Sequence, residues 1–311
     1  MVTAMAESLA LKKIGIIGRG SIGVNLAFHL RCAQNIQTCL LVRDHYDTSQ
    51  ALTLTTDGGQ SFELKCQQDY ITDTSLSQLD LIVIPVKQYQ LESVMQMLAP
   101  LIQSSTSILL LHNGMGGIEL AEKYLPNNLL LVATTTDGVY KTSANSFIQT
   151  AVGQFEMGVA DADDALKSTQ ELNIDFMKEL HPNFRWRNDI VFALYQKLAV
   201  NAVINPLTAL KNCKNGELNN YRVEVNKIKH EIFDLYEFMN LPIDNHALSQ
   251  HIDTVIQLTK NNYSSMHQDF HNGRETEVEG ILGFLLEKAQ ETGMKMDLIR
   301  QLYTKIRSTC A

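Results

Sequence analysis

The 311-residue chain carries 26 basic and 34 acidic side chains, a net charge of −8, and 45% hydrophobic residues. This is the composition of a soluble globular enzyme of about two domains, and the acidic balance favours neither nucleic acid nor an anionic membrane as partner. Five cysteines, Cys32, Cys39, Cys66, Cys213 and Cys310, form an odd set without CxxC spacing, which argues against a disulfide framework and a thiolate metal site and fits a reducing cytoplasm.

Residues 1–12 lack the apolar core of a secretory signal and read as a short tail, with Met5 as an alternative start to Met1. No uninterrupted apolar run approaches the roughly 20 residues of a membrane span. The first half then alternates short β-branched or leucine-rich runs with amphipathic stretches, the pattern of a parallel sheet with crossover helices. Strands are expected at Lys13–Ile17, Thr38–Val42, Leu79–Val86, Ser107–His112 and Leu129–Thr136, with a helix at Ile22–Ala33. Phe147–Gly158 alternates as antiparallel strands near a sheet edge, where the sheet is expected to end. From Asn188 onward the pattern is long and helical. The expected organisation is a tail (1–12), a mostly parallel α/β Rossmann-type domain (13–187) and an all-helical domain (188–311).

Gly18-Arg19-Gly20-Ser21-Ile22-Gly23 satisfies G-x-G-x-x-G between a strand and a helix. Gly18 permits the tight turn, Gly20 the approach of a pyrophosphate to the backbone, and Gly23 close packing of helix on strand. Free N–H groups at the helix start, around Ser21 and Ile22, face the phosphates. Arg43 ends the second strand, where an arginine accommodates the 2′-phosphate of NADP, although the neighbouring Asp44 leaves an NAD reading open. Lys87 and Asn113 follow later strands at the carboxyl edge, where ligands of open α/β sheets bind; Asn113-Gly114 also fits a simple turn. His112 has no paired carboxylate or metal-ligand spacing, and metal catalysis has no support in the pattern.

Lys197, Asn201 and Asn205 recur every four residues. At roughly 100° per residue they share one helical stripe. The residues between them are Leu198, Ala199, Val200, Ala202, Val203 and Ile204, and a helix so apolar around its circumference is normally buried. A functional cleft is therefore favoured over a solvated face. Further on lies Ser264-Ser265-Met266-His267-Gln268-Asp269, then Gly273 to Glu277. From pattern alone these serines read as caps and Glu277 as a surface acid.

Taken together, these motifs resemble the ketopantoate reductase (2-dehydropantoate 2-reductase) family over nearly the whole chain. The resemblance rests on the glycine fingerprint, Lys87, the N-G-M-G loop at Asn113–Gly116, the K-L-A-V-N-x-V-I-N-P-L-T-A block with N-G-E-L at Lys197–Leu218, and the S-S-M-x-Q-D and T-E motifs at Ser264–Asp269 and Thr276-Glu277. It implies NADPH-dependent reduction of 2-dehydropantoate to (R)-pantoate in pantothenate and coenzyme A biosynthesis, with the active site in a cleft between a Rossmann domain and a helical domain. By the same likeness Lys197 is the proton donor, Asn201, Asn205, Asn215 and Ser265 bind substrate, and Asn113 bridges cofactor and substrate. Glu277 sits beside the nicotinamide ribose and the reacting lysine, and a main-chain contact to the cofactor falls near Val139. The chain departs from the family at Asp137-Gly138 and in its longer amino-terminal tail. Partners are then a small 2-oxo acid, with no nucleic acid and no membrane, for a monomer or homodimer. The alternatives are a reductase of another branched 2-oxo acid and an inactive NADPH-sensing Rossmann protein.

Overall fold

A computed structural model describes residues 11–43, 50–71, 74–160 and 176–310. Residues 1–10 of the expected tail and Asp44 lie outside the described residues, whereas Lys12 already begins the first strand. The chain divides into two compact units. Unit 1 runs to Ile190 and unit 2 from Val191, except that Lys87–Tyr89 and Asn113–Gly117 belong to unit 2.

Unit 1 holds an eight-stranded sheet in the order β12-β11-β8-β7-β6-β1-β2-β5. Its strands are β1 (Lys12–Ile17), β2 (Ile36–Val42), β5 (Gln67–Tyr70), β6 (Leu81–Ile84), β7 (Ser107–Leu110), β8 (Leu130–Thr135), β11 (Phe155–Val159) and β12 (Phe184–Trp186). All neighbours pair in parallel except β8 with β11. Every residue of β6 is buried. That burial is why it reads in the sequence as a continuous apolar run and not an alternating one. The strand order reverses beside β1, with β2 on one flank and β6 on the other, so a switch point falls where the glycine turn begins.

A second, four-stranded sheet has the order β4-β3-β10-β9, from β3 (Leu52–Thr55), β4 (Ser61–Leu64), β9 (Gly138–Lys141) and β10 (Ser146–Ala151). The expectation for Phe147–Gly158 is corrected here. Its first half pairs with β9 and β3 in the small sheet, its second half pairs antiparallel with β8, and β12 extends the large sheet beyond it. The chain changes sheets at Val152–Gln154, where the Gly153 N–H donates to the Asp137 carboxylate at 2.7 Å. Strands β3, β4 and β5 escape the sequence reading because each is only four residues long, and β5 (QQDY) has no apolar alternation. Helix α1 (Ser21–Leu30) buries Val24, Leu26, Ala27 and Leu30 in the unit-1 core, while α2 (Leu91–Leu98) buries Leu91, Val94, Met95 and Leu98.

Among the described residues unit 2 contains helices and turns and no strand: α4 (Ile190–Lys211), α5 (Arg222–Phe238), α6 (Asn245–Leu258), α7 (Ser265–His271), a π-helical turn (Glu279–Gly283), α8 (Phe284–Glu291) and α9 (Asp297–Cys310), while α3 (Gly117–Tyr124) belongs to unit 1 from Ile118 onward. Among the described residues, helix α4 alone is long and apolar enough to cross a membrane by length and composition, but 67% of its most apolar stretch is buried. Leu198, Ala199, Val203 and Leu207 pack it against Val225, Ile228 and Ile232 of α5 and Leu285 of α8 in one hydrophobic core, so its apolarity serves unit 2 itself. Side chains close the helix ends. Asp244 accepts from His246 and Ala247 at the start of α6, and Glu231 accepts from Leu298 and Ile299 at the start of α9.

Candidate functional site

In unit 1 the fingerprint forms the turn its glycines require. Gly18 adopts φ +83°, a left-handed conformation that L side chains rarely take, and its N–H donates to Leu41 O at 2.7 Å. A Cβ on Gly23 would lie 3.1 Å from both Ile16 and Pro85, so a larger residue would push α1 off the sheet. Gly20 caps α1 without a side-chain bond, no acid lies in the first turn, and a Cβ on Gly18 would meet nothing within 4 Å. Uncapped helix N–H groups beside open space fit the pyrophosphate of a dinucleotide. Ser21 and Ile22 are half-buried in that first turn, and Arg43 is exposed just past β2. Arg19 is buried, with its guanidinium bonded to the Asn145 side chain. Val139 packs its side chain against the unit-1 core, and its backbone lies in register with Gln149 of β10.

In unit 2, Glu277 is the point of convergence. Its carboxylate accepts from Asn113 Nδ2 at 3.1 Å and Lys87 Nζ at 3.5 Å, and Lys87 also pairs with Asp269 at 2.9 Å. Glu277 is 6% exposed, so the surface-acid reading from pattern alone is corrected. Burying a carboxylate is costly unless charge and hydrogen bonds meet it, and Lys87 and Asn113 supply both. Burial disfavours the Lys87 ammonium, but the Glu277 and Asp269 carboxylates outweigh it and hold its pKa above the ordinary lysine value.

The N-G-M-G loop reaches this place through backbone packing. Met115 N–H donates to Gly280 O at 2.8 Å, and Gly114, at φ +83°, approaches so closely that a Cβ would lie 2.5 Å from that oxygen. A Cβ on Gly280 would lie 2.8 Å from Gln88 Cγ. The π-helical turn that carries Gly280 thus locks the Lys87 and Asn113 segments beside Glu277. Single π turns are frequent at functional sites.

The predicted stripe lies on α4, where Lys197 and Asn201 are half-buried and Asn205 is buried. Pro206 inside the helix removes one N–H from its ladder. Asn215 is buried, its N–H donating to Asn262 O and its Nδ2 to Thr259 Oγ1, while its Oδ1 has no hydrogen-bond partner. An acceptor left bare in a native interior suits a ligand donor. Ser265 begins α7 and is exposed, and the preceding Ser264 is the cap, accepting from His267 N–H.

Asp137-Gly138, the departure from the family pattern, has a structural use. Asp137 accepts from Gly153 N–H, Asn25 Nδ2 at 2.9 Å and His181 Nε2 at 3.1 Å, and His29 completes a cluster whose potential ligand atoms lie within 4.8 Å of one another. The sequence reading missed this grouping because its members are far apart in the chain. A metal fits it poorly. Asn183 N–H donates to His181 Nδ1, which makes Nε2 the protonated nitrogen facing Asp137, whereas a metal-bound histidine donates from its other nitrogen.

Burial, reinforced by His181 and Arg31 against the pull of Asp137, pushes the His29 pKa from 6.5 down to about 4. A depressed histidine pKa means that the unfolded chain takes up the proton first. Its contribution to stability is therefore full above pH 6.5 and is lost as pH falls towards about 4. The loss is bounded at about 3 kcal/mol and is smaller for a partly exposed ring. Urea midpoints measured from pH 7 to 4.5 should fall more steeply for the native protein than for His29→Leu; parallel curves would remove His29 from the acid response.

A glycine turn at the switch point of a mostly parallel sheet, followed by an all-helical unit bearing a lysine, amides and a buried carboxylate, defines a Rossmann-type oxidoreductase. Residues 14–162 match the profile described as ketopantoate reductase PanE/ApbA, and residues 189–309 match its C-terminal counterpart. The chain belongs to the ketopantoate reductase family. It is 33% identical over 297 residues to the 2-dehydropantoate 2-reductase of Vibrio cholerae serotype O1, covering 95% of this chain and 97% of that one. It is 32% identical over 300 residues to that of Bacillus subtilis (strain 168), with coverage of 95% and 97%. The crystal structure of a probable 2-dehydropantoate 2-reductase from Bacillus subtilis matches with a TM-score of 0.80 at 31% identity, covering 96% of this chain and 99% of its own. D-mandelate dehydrogenase, solved with NADH and anilino(oxo)acetate, shares the fold with a TM-score of 0.84 at 22% identity, covering 96% and 98%.

Sequence reasoning gave Asp269 no role and passed over Arg274, whose Nε pairs with the second oxygen of Asp269 at 2.9 Å. The signal was present in the last residue of S-S-M-x-Q-D. An acid there is indistinguishable from a solvated helix residue until Lys87 is brought to it.

Proposed function

We propose that the protein reduces 2-dehydropantoate to (R)-pantoate with NADPH, as a cytoplasmic step of pantothenate and coenzyme A biosynthesis. The observation that carries this reading is the convergence of Lys87 and Asn113 on the buried Glu277 carboxylate, in the unit that also holds Lys197. The names of the relatives supply the substrate.

Bound NADPH would supply the hydride. The Gly18–Gly23 turn would hold its pyrophosphate, and Arg43 would meet the 2′-phosphate. Lysines, with a reference pKa near 10.4, are cationic at neutral pH. The Lys197 ammonium donates a hydrogen bond to the ketone oxygen and gives up its proton as negative charge develops there. Asn201, Asn205, Asn215 and Ser265 hold the substrate's hydroxyl and carboxylate, and the bare Asn215 Oδ1 accepts from the hydroxyl. Glu277 keeps Asn113 and Lys87 in place.

Loss of NADPH absorbance on adding 2-dehydropantoate tests the reading, with other branched 2-oxo acids and NADH as comparisons. A faster reaction with another 2-oxo acid would assign the protein to the related-reductase alternative, and no reaction with any would support the sensor alternative. In the same assay Arg43→Ala should raise KM for NADPH about tenfold or more, with kcat at saturating cofactor nearly unchanged, since it removes a charge-assisted contact distant from the reacting atoms. An unaltered preference for NADPH over NADH would dismiss Arg43 as the phosphate ligand.

A further inference from the structure

The polar stripe on α4 does not end at Asn205. Thr208 lies eleven residues after Lys197, and at roughly 100° per residue it returns to within about 20° of the same azimuth. It is fully buried, and its hydroxyl lies 2.9 Å from Ile204 O, 3.1 Å from Asn205 O and 2.7 Å from Ser264 Oγ. Ser264 is 5% exposed and accepts from His267 N–H at 3.0 Å.

One proton assignment satisfies all these groups. His267 N–H donates to Ser264 Oγ, Ser264 O–H donates to Thr208 Oγ1, and Thr208 O–H donates to the carbonyls of Ile204 and Asn205. Each hydroxyl then both donates and accepts in a buried, low-dielectric place, where a lost partner is costly. The chain of bonds runs from the cap of α7 to the carbonyl of Asn205, one residue before Pro206. That proline removes the helix N–H that would donate to the Ala202 carbonyl, and the Thr208 hydroxyl is an added donor to the carbonyls of Ile204 and Asn205.

We infer that the Thr208–Ser264 hydroxyl pair is a positioning device for the substrate groups. It sets the turn of α4 that carries Asn205 in register with the start of α7 that carries Ser265. Neither hydroxyl touches the reacting atoms. The inference rests on the functional reading above, which makes Asn205 and Ser265 substrate ligands.

The test compares steady-state kinetics with 2-dehydropantoate, and NADPH affinity by fluorescence, for Thr208→Val, Thr208→Ser, Ser264→Ala and the double variant Thr208→Val/Ser264→Ala. Removing either partner should raise KM for 2-dehydropantoate about tenfold, the size expected for one buried hydrogen bond. Turnover should fall less, and NADPH affinity should stay native. The double variant should lose less than the sum of the two single variants, because the Thr208–Ser264 bond can be lost only once, while the Thr208 bonds to the α4 carbonyls and the His267 N–H bond to Ser264 are separate. Thr208→Ser, which keeps the hydroxyl, should restore a near-native KM. Ser264→Ala leaves the Thr208 backbone bonds in place and so guards against a fold failure in Thr208→Val. A native KM in Ser264→Ala, additive losses in the double variant, or a Thr208→Ser no better than Thr208→Val would overturn the inference. Absence of 2-dehydropantoate turnover in the unmutated protein would instead overturn the functional reading on which it stands.

Discussion

Lys197→Ala should lower kcat for 2-dehydropantoate by about 10²-fold or more, with NADPH affinity left native. A positioned general acid contributes about 10²–10⁴ in rate, and a donor aimed at developing negative charge about 10²–10³. Both roles fall on one ammonium, and the alternative donors in the stripe are amides, too weakly acidic to deliver a proton. The lysine also binds the ketone before reduction, so KM for the 2-oxo acid should rise as well, while the glycine turn belongs to unit 1 and is untouched. Truncating a half-buried side chain in a helix whose apolar residues make the core should leave the fold intact. Thermal unfolding and NADPH titration, run beside the kinetics, separate loss of chemistry from loss of structure. Near-native kcat in this variant would sink the assignment.

Glu277→Gln is expected to lower kcat about 10–100-fold. The amide keeps an oxygen for Asn113 Nδ2 but loses the charge that faces Lys87. Hydrogen bonds to charged groups contribute about 1.5–3 kcal/mol, which in a transition state corresponds to one to two decades of rate. Lys87 retains Asp269 at 2.9 Å, so the ammonium is not stranded and the protein should still fold. With Glu277 neutral, the force that raises the Lys87 pKa is reduced and burial acts in the opposite direction. The decisive comparison is Glu277→Gln against Asp269→Asn, which removes the other carboxylate on Lys87. If both carboxylates act only by holding Lys87, the two variants should be alike; if Glu277 serves the reaction, only its substitution should cost the larger factor. Equal kinetics would reduce Glu277 to a partner of Lys87.

Much of the fold was legible because local pattern and tertiary role agree. The glycine turn, the buried runs of β6 and β7 and the apolar circumference of α4 each have one physical reading. The small sheet was not legible: four-residue strands with mixed polarity form because partners are brought to them, as Leu52–Thr55 is by Ser146 to Ile148. Pattern alone misread Glu277 as a surface acid for a similar reason, and only the family resemblance placed it in the site. A carboxylate before an apolar helix looks solvated until Asn113 and Lys87, more than 160 residues away in the chain, arrive at hydrogen-bond distance.

The sequence by itself determined which groups the protein has to offer: a glycine turn between strand and helix, an arginine after the second strand, and a lysine with amides on one helical stripe. Short-range geometry suffices for these, since turn, strand end and helix period are properties of a few consecutive residues. Tertiary structure decided which groups meet. It drew the Lys87 and Asn113 segments into the helical unit through the Gly114–Gly280 approach, buried Glu277 between their side chains, and joined Thr208 to Ser264. These are contacts of long sequence separation, made by backbone packing and charge pairing, and no period in the chain encodes them.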